Sequence, residues 1–524
     1  MNMATPVDDP NKTYKWWLLL IVMIGTFMAV MDSSIVNVSI PTMMADFGVN
    51  LDDIEWVMTG YMLAFAVLMP ATGWLRIHLG YKRTFLYSLV LFTVGSVLCG
   101  LAWNLPSLIV ARVLQALGGG AISPTGMGMI SEVFPPKERG KAMGYWGMGI
   151  IMGPTIGPTL GGYLTHTFGW RSIFLVNIPV GIIAVLMGIE ILRSDKPEGK
   201  QSMDFDFWGF FSLSLFLVAF LLGLSKGESK GWDSDYIFWC TILSAVGLTV
   251  FLLAESLVKE PIINLRIFRH GVFTVTMLLG LVRSIALFGG IFLLPVFLQT
   301  LMGFNEIQSG LIMLPGALVV SLVMPISGRI SDSIGPRIPT VVGMLLTTYF
   351  MWAYRNLDPS MSQWDIIAPT LIRGVGMGLL MAPMTAAAMN AVEQREIPMA
   401  SSLMNIIMQV GGSVGIALLA TIFNHRVNYH LDVLGSGFVT SNPAYAASTP
   451  QLINYAKGLG LGHLDSQAFA QASFSKFMIR SVLTHGYQDA FLFGGLICII
   501  GVLMGFLLPG KPLHHPPEGS GVIE

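Results

Sequence analysis

Four ionisable side chains lie within long apolar stretches of this sequence. Asp32 lies in MDSSIVNVSIP, Arg112 lies in ARVLQALGGG, and Arg283 and Arg373 lie in two later apolar stretches. A charge at membrane depth is expensive to bury, so such residues commonly mark the path of an ion or a substrate. An acid near a basic group can also take up and release a proton. These four residues are therefore the first candidates for chemistry.

Depth estimates place Asp32 and Arg112 at similar levels. Asp32 lies about eight residues below the outer end of its predicted span, or roughly 12 Å at 1.5 Å per residue. Arg112 lies about five or six residues below the outer end of its span, or roughly 8–9 Å. Both therefore occupy the outer half of one predicted bundle, where a carboxylate and a guanidinium can meet. A static buried pair that sets the helix register is the alternative.

The other polar candidates have weaker support from the sequence. Arg283 lies nearer to the middle of the membrane, and a packing charge bonded to carbonyl groups explains it as well as a role in transport. Arg373 is the expected counterpart of Arg112, but no acid stands obviously opposite it. Asn37 and Gln115 follow Asp32 and Arg112 closely, and interhelical hydrogen bonding explains both equally well. The predicted lining of a substrate cavity consists of Asn37, Gln115, Arg283 and Arg373.

The composition indicates that membrane-spanning helices must hold these charges. Hydrophobic residues make up 53% of the 524 residues, charged residues make up only 11%, and mean hydropathy is +0.68. Soluble domains are about 25% charged. A formal net charge of −1 without a basic tract excludes nucleic acid as a partner. The fourteen predicted spans are approximately 16–40, 55–75, 84–103, 107–131, 141–164, 171–192, 206–225, 236–255, 272–299, 309–330, 339–355, 365–390, 401–424 and 487–509.

The distribution of Lys and Arg predicts the orientation. With the N-terminus inside, 18 of the 29 basic residues fall in cytoplasmic segments and 8 fall in outer segments. This bias predicts that both chain ends are cytoplasmic and that the number of spans is even. Cys99, Cys240 and Cys498 all lie in apolar segments, where small core residues are the simplest explanation. The sequence contains no metal-ligand cluster, so neither a metal nor another cofactor is expected.

The chain repeats itself at an offset of about 255 residues. Gly73-x-Leu75 with Gly80 recurs as Gly328-x-Ile330 with Gly335. An internal repeat of this kind predicts two six-helix bundles in parallel repeat, with spans seven and eight inserted between them. The predicted divisions are a first bundle at 1–192, a linker with two inserted helices at 193–260, a second bundle at 261–510 and a cytoplasmic tail at 511–524. A polar outer loop, partly helical, is predicted at about 425–486.

The stretch from Gly144 to Gly162, GYWGMGIIMGPTIGPTLGG, combines regularly spaced glycines with two prolines. Gly144, Gly153, Gly157 and Gly161 are predicted to share one helix face, which another helix can approach closely. Each proline removes an internal hydrogen bond and bends the helix. We interpret this face as a moving contact between the bundles. An ordinary small-residue packing motif is the alternative.

These motifs together resemble the major facilitator superfamily and, within it, the fourteen-helix drug:proton antiporters of EmrB/QacA type. The resemblance covers nearly the whole chain. MDSSIVNVSIP, ARVLQALGGG and WRSIFLVNIPVG resemble the first, fourth and sixth helices of that group. The fifth-helix antiporter motif, G-x8-G-x3-GP-x2-GG, is matched at every fixed position, by Gly144, Gly153, Gly157, Pro158, Gly161 and Gly162.

One motif departs from the family pattern. The loop after the second helix usually reads G-x-L-a-D-R-x-G-R-[RK], whereas this chain has GWLRIHLGYK from Gly73, with Gly80 retained. Ile77 stands at the Asp position and His78 stands at the Arg position. The equivalent loop of the second half, GRISDSIGPR, keeps Asp332. The sequence therefore leaves open which half holds the inner gate closed.

The resemblance implies proton-coupled export of small amphipathic or cationic compounds, with Asp32 and Arg112 as the coupling residues. It also implies a fold of fourteen transmembrane helices in a bacterial inner membrane, surrounded by lipid and driven by the proton gradient. An exporter of a lipid, a fatty acid or a bile-salt-like compound on the same fold is the alternative. A periplasmic adaptor protein and an outer-membrane channel are expected partners by resemblance, although a solvated loop without a partner is equally compatible. A membrane enzyme or receptor finds no support in nucleophile–base sets or nucleotide loops.

Overall fold

The computed structural model describes residues 10–194, 206–258, 261–435, 443–459 and 462–512. Within these ranges the long regular elements are all α-helices. They are α1 (Pro10–Phe47), α2 (Leu51–Ile54), α3 (Trp56–Leu68), α4 (Ala71–Gly100), α5 (Leu105–Val133), α6 (Arg139–Phe168), α7 (Ser172–Leu175), α8 (Asn177–Ile191), α9 (Phe207–Lys230), α10 (Asp235–Leu257), α11 (Gly271–Thr300), α12 (Glu306–Ile334), α13 (Arg337–Ala353), α14 (Gln363–Asn390), α15 (Ile397–Gly435), α16 (Pro443–Gly458) and α17 (His463–Gly505).

Helical backbone covers each of the fourteen predicted spans. In the described part of the chain, eleven helices are long and apolar enough to cross a membrane, judged by length and composition. The helices α3 and α13 are shorter, with 13 and 17 residues, and α6, which carries the glycine-rich stretch, is not among the eleven. The fold is therefore an all-helical bundle. Fourteen crossings and two cytoplasmic chain ends stay predictions.

The two copies of the internal repeat have the same backbone conformation at their second glycine. Gly80, inside α4, has φ 77° and ψ 166°, and Gly335, which ends α12, has φ 93° and ψ 167°. A side chain is strained at such positive φ values, so glycine is the suitable residue at both positions. Each glycine makes the sharp turn between two consecutive spans. The helix α4 therefore contains the end of the predicted second span and most of the third.

Packing follows the predicted halves. In the first half, α1 packs on α6 and α4 packs on α5, while in the second half α11 packs on α15 and α12 packs on α14. The largest contact between the halves joins α6 to α12, and α5 also contacts α15. The inserted pair α9 and α10 form a helical hairpin, whose α9 contacts both α3 and α15. The hairpin therefore flanks both halves.

The polar segment predicted as an outer loop is largely helical. The helix α15 continues to Gly435, α16 packs against α17, and α17 begins at His463. The prediction of a partly helical segment is thus confirmed for the described residues. The predicted linker at 193–204 and the predicted tail at 511–524 lie mostly outside the described residues.

Candidate functional site

The structure brings Asp32 of α1 and Arg112 of α5 into direct contact. The Nη1 of Arg112 lies 2.5 Å from the Oδ2 of Asp32. The side chains are 0% and 1% exposed. The sequence estimate that both residues lie at one level of one bundle therefore agrees with the geometry. Because both are charged and sealed from solvent, their interaction is much stronger than that of a surface ion pair.

Two amides complete the hydrogen bonding of the Asp32 carboxylate. The Nε2 of Gln115 donates to Oδ1 over 2.9 Å, and the Nδ2 of Asn177 donates to the same oxygen over 2.8 Å. The Oγ of Ser96 accepts from Gln115 over 2.7 Å. A buried carboxylate needs such donors, since an unpaired buried charge is very costly. We call Asp32, Arg112, Gln115, Asn177 and Ser96 the acid network.

Besides Asp32, Arg112 has two further hydrogen-bond acceptors and one aromatic ring as partners. Its Nη1 donates to the Oε1 of Gln115 over 2.6 Å, and its Nε donates to the carbonyl of Val57 over 3.4 Å. Its guanidinium carbon lies 4.0 Å from the centre of the Tyr61 ring, within the range of a cation–π contact. Neighbours from α3 and from α5 itself thus hold the guanidinium in place.

Sequence reasoning missed Asn177, Ser96 and Tyr61 as members of this site. Asn177 lies in WRSIFLVNIPVG, so an amide inside an otherwise apolar motif was a usable signal. Ser96 and Tyr61 lie among other small polar and aromatic residues, and nothing local distinguishes them. Gln115 was predicted to line a substrate cavity, and in this conformation it lies inside the acid network instead. Gln115 is 0% exposed and bonds to both charged members of the acid network.

In this conformation the Asp32 carboxylate is sealed from solvent. It accepts hydrogen bonds from three donors, and a protonated carboxyl would lose its attraction for Arg112. The acid network is therefore a buried contact that joins α1, α5 and α8.

The remaining predicted cavity residues are placed differently from one another. Asn37 is exposed on α1, on the same side as the exposed Ser33, and lies outside the acid network. Arg283 and Arg373 are 7% and 6% exposed. The Nε of each, and the Nη1 of Arg373, are buried without a hydrogen-bond partner. Arg373 therefore matches Arg112 in sequence position but has no acid beside it.

The glycine face of α6 divides between two neighbours. A Cβ built at Gly153 would lie 2.9 Å from the backbone nitrogen of Met31, and one at Gly161 would lie 2.7 Å from a side-chain atom of Ile35. A Cβ at Gly157 would likewise meet Ser34 of α1 at 3.0 Å. The interpretation of Gly157 and Gly161 as a contact between the bundles is therefore wrong here, because these glycines pack against α1 in their own half.

Gly144, at the other end of α6, does face the second half. Its Cβ would lie 2.6 Å from the carbonyl oxygen of Met324 and 2.6 Å from the Cα of Pro325, both in α12. The helix is long enough to use one end for each neighbour, since its 30 residues rise about 45 Å. Gly162 has room to spare, because the nearest atom to its Cβ would be 3.8 Å away. Pro158, next to Gly157, lies on an exposed part of α6.

The second half closes the predicted cytoplasmic end through Asp332. Its two carboxylate oxygens accept hydrogen bonds from the backbone N–H groups of Gly140 and Lys141, each over 3.0 Å. These N–H groups open α6, where the helix dipole favours a negative charge. Beside them, the buried Arg139 donates to the Oδ1 of Asn390 over 2.7 Å. We call these contacts of Asp332 and Arg139 the inner latch.

The equivalent loop of the first half has no acid at the position of Asp332, where Ile77 stands. The Nδ1 of His78 lies 3.0 Å from the carbonyl of Trp74, in its own helix. Directly before this loop, the Oγ1 of Thr72 lies 2.6 Å from the Oγ of Ser402 and also joins the two halves. In this conformation the carboxylate contact at the predicted inner end is thus made by Asp332 of the second half.

Known proteins match this combination of fold and motifs. The family model described as the Major Facilitator Superfamily matches residues 22–416. The chain belongs to the Major Facilitator Superfamily. Members of this family are transporters rather than enzymes, and the long apolar helices make this one a multi-pass membrane protein in contact with lipid.

The relatives include several named exporters. The Multidrug resistance protein B homolog of Mycobacterium tuberculosis (strain ATCC 25618 / H37Rv) is 31% identical over 94% of this chain and 89% of its own length. The Multidrug export protein EmrB of Escherichia coli (strain K12) is 29% identical over 95% of this chain and 96% of its own length. An uncharacterized transporter of the same superfamily, YhcA of Bacillus subtilis (strain 168), is 31% identical over 97% and 95%.

A solved structure agrees in fold. The human organic anion transporter MFSD10 (TETRAN) has a TM-score of 0.58 and 12% sequence identity, with 94% of this chain and 99% of that chain covered. At this identity the likeness concerns the fold alone. The resemblance recognised in the sequence is confirmed, and the chain is a transporter of this superfamily with multidrug-export relatives.

Proposed function

We propose that this protein is a proton-coupled exporter of small amphipathic compounds, working by alternating access in the cytoplasmic membrane of a bacterium. The observation that carries the proposal is the acid network. An acid and an arginine, both sealed inside the first bundle at 2.5 Å, are costly to bury and serve no evident packing need. Intramembrane ionisable pairs of this kind are expected in proton-driven transporters. No cofactor enters the proposed mechanism, since the proton gradient supplies the energy.

The first step of the proposed mechanism takes place at Asp32. A proton from the outer side neutralises the carboxylate, and Arg112 then loses its counter-charge. The buried guanidinium becomes unfavourable in the closed network and favours a conformation in which it finds other partners. Release of the proton to the cytoplasm restores the pair. Proton uptake and release thus bias two conformations in opposite directions.

The second step links the acid network to the inner latch. Asp32 lies on α1, which contacts the glycine face of α6 at backbone distance. The first turn of the same α6 is held by Asp332 of the second half. Because α6 touches both, a shift of α1 moves the helix whose N-terminus forms the latch. This contiguous contact is the proposed route by which proton binding opens the predicted cytoplasmic end.

Membrane lipid and amphipathic substrates are the expected partners. The helical segment formed by the end of α15, α16 and the start of α17 offers a surface for a periplasmic adaptor, which would lead to an outer-membrane channel. This part of the proposal rests on resemblance to EmrB-type transporters. Its test is co-purification of the intact transporter with a candidate adaptor, compared with a variant that lacks α16.

The central experiment measures transport in proteoliposomes with an imposed pH gradient. A panel of dyes, biocides, bile salts and fatty acids is offered to the wild-type protein and to Asp32→Asn. We expect uphill export of at least one compound by the wild type and none by the variant. Asp46→Asn, a change of the same kind at an exposed site on α1, is the matched control. Equal uphill export by Asp32→Asn would contradict the proposal.

A further inference from the structure

Arg283 and Arg373 are two further buried charges, and neither has a counter-ion among the residues that the structure describes. Both side chains are more than nine-tenths buried. The Nε of Arg283 and the Nε and Nη1 of Arg373 are buried without a hydrogen-bond partner. Both guanidinium groups therefore keep unused donors.

The contrast with Arg112 shows that burial alone does not leave an arginine without hydrogen-bond acceptors. Arg112 has Asp32, Gln115 and a backbone carbonyl as acceptors. The predicted spans of the second half contain two acids, and both are already engaged. Asp365 accepts from the N–H and the Oγ of Ser362, and Asp489 accepts from Arg426 and His430. An arginine stays protonated in proteins, so the missing negative charge must come from outside the chain.

One face of α11 connects Arg283 with the surroundings of Arg373. Arg283 and Gly290 are two helical turns apart on one face of α11, about 10 Å along the axis. A Cβ at Gly290 would lie 3.4 Å from the ring of Phe350. The guanidinium carbon of Arg373 lies 5.2 Å from the centre of that ring. One face of α11 therefore passes from Arg283 to the aromatic ring that supports Arg373.

The surroundings of these charges are apolar. Leu287 lies between Arg283 and Gly290 on α11, and Met351, Phe350 and Leu380 belong to the same buried cluster of the second half. Cationic donors beside apolar side chains suit a molecule with an acidic head and an apolar tail. They do not suit a cationic drug, because like charges repel in a medium of low dielectric constant.

We propose that Arg283 and Arg373 bind the anionic head group of an amphipathic substrate, such as a long-chain carboxylate. This inference rests on the proposed function as an exporter and defines its substrate class. The first half then carries the acid network for protons, and the second half carries the charges that recognise the substrate. An anionic lipid head group offers the same chemistry and is the other source of such a ligand.

Equilibrium binding to the full-length protein tests the proposal without any proton gradient. The protein is placed in phosphatidylcholine nanodiscs, and the probes are dodecanoate and dodecyltrimethylammonium, which have similar tails and opposite charges. We expect wild-type protein to bind dodecanoate more tightly. Arg283→Gln and Arg373→Gln should each weaken dodecanoate binding by about tenfold or more, since each removes charge-assisted hydrogen bonds. Binding of the cation should not weaken.

Control variants separate recognition from folding. Arg283→Lys and Arg373→Lys keep the charge and should retain most of the dodecanoate affinity. Arg355→Gln removes an exposed arginine that rests on Trp352 and should bind like the wild type. Adding phosphatidylglycerol to the nanodiscs distinguishes the two sources. If phosphatidylglycerol competes with dodecanoate in the wild type but not in the Gln variants, the site binds a lipid head group. If phosphatidylglycerol does not affect dodecanoate binding, the site binds a free substrate.

Unchanged dodecanoate affinity in both Gln variants and in the double variant would overturn the inference. Equal weakening of the anion and the cation would also overturn it, because it would indicate a structural role. Neither result depends on proton coupling. Failure of the exporter proposal itself would appear separately, as intact binding of dodecanoate with no uphill transport in proteoliposomes.

Discussion

The substitution Asp32→Asn tests the acid network directly. An asparagine offers one carbonyl oxygen to three donors, from Arg112, Gln115 and Asn177, and its NH₂ group must face at least one of them. The change also removes the counter-charge of a fully buried arginine. Removing one partner of a buried ion pair costs about 3–5 kcal/mol. The observed conformation should therefore become much less favourable.

This cost can be read as a shift between conformations. If another conformation lets Arg112 find water or other acceptors, a difference of about 3–5 kcal/mol changes the ratio of the two states by a factor of roughly 10² to 4 × 10³. The inner latch should then open in a large fraction of molecules. Nitroxide labels on the exposed Lys137, between α5 and α6, and on the exposed Ser333, in the last turn of α12, report that opening as a longer distance in pulsed electron–electron double resonance.

Asp46, a second acid on α1, provides the matched control. Asp46→Asn changes an exposed acid at the C-terminal end of α1 that bonds to Trp170 and Arg171, and it should leave the label distance unchanged. The reasoning is refuted if Asp32→Asn keeps the wild-type distance distribution and also exports substrate uphill at the wild-type rate. In that case the pair would only fix the helix register.

Further changes test the individual contacts. Arg112→Ala should abolish uphill transport, because it leaves the buried carboxylate of Asp32 without its counter-charge. Asp332→Asn should weaken the inner latch by about 1–2 kcal/mol, the upper range for an anion at a helix N-terminus, and should lengthen the label distance. Gly144→Ala should force α6 and α12 apart, since its Cβ would lie 2.6 Å from backbone atoms, and should also open the predicted cytoplasmic end. Gly161→Ala should reduce transport by displacing α1, whereas Gly162→Ala, with its nearest atom at 3.8 Å, should transport normally.

Each of these expectations has an outcome that contradicts it. Uphill transport at the wild-type rate by Arg112→Ala would mean that the close contact with Asp32 is not needed for coupling. Wild-type label distances in Asp332→Asn and Gly144→Ala would show that the latch does not hold the halves together. Equal flux through the Gly161 and Gly162 variants would show that the tight contact of α6 with α1 is not needed for transport.

The sequence alone was sufficient for the helical class, the repeat and the family. These features depend only on the order of residues along the chain. They follow from the length of the apolar stretches, the offset between Gly80 and Gly335, and the spacing of the glycines after Gly144. It also identified Asp32 and Arg112, because a charge inside an apolar stretch stands out without any knowledge of its neighbours. Residue counting placed both at similar depth along two helices, where they could meet, and the structure shows the contact.

Only the tertiary structure decided which side chains meet around those charges. Successive residues of a helix point about 100° apart, and a helix that is apolar on every side has no polar face to reveal its rotation. For this reason the sequence could not place Asn177 beside Asp32, or direct Gly161 toward α1 and Gly144 toward α12. It also left open whether Arg373 has an acid partner and which loop closes the inner end. Those answers depend on contacts between helices far apart in the chain, and such contacts exist only when the bundle is assembled.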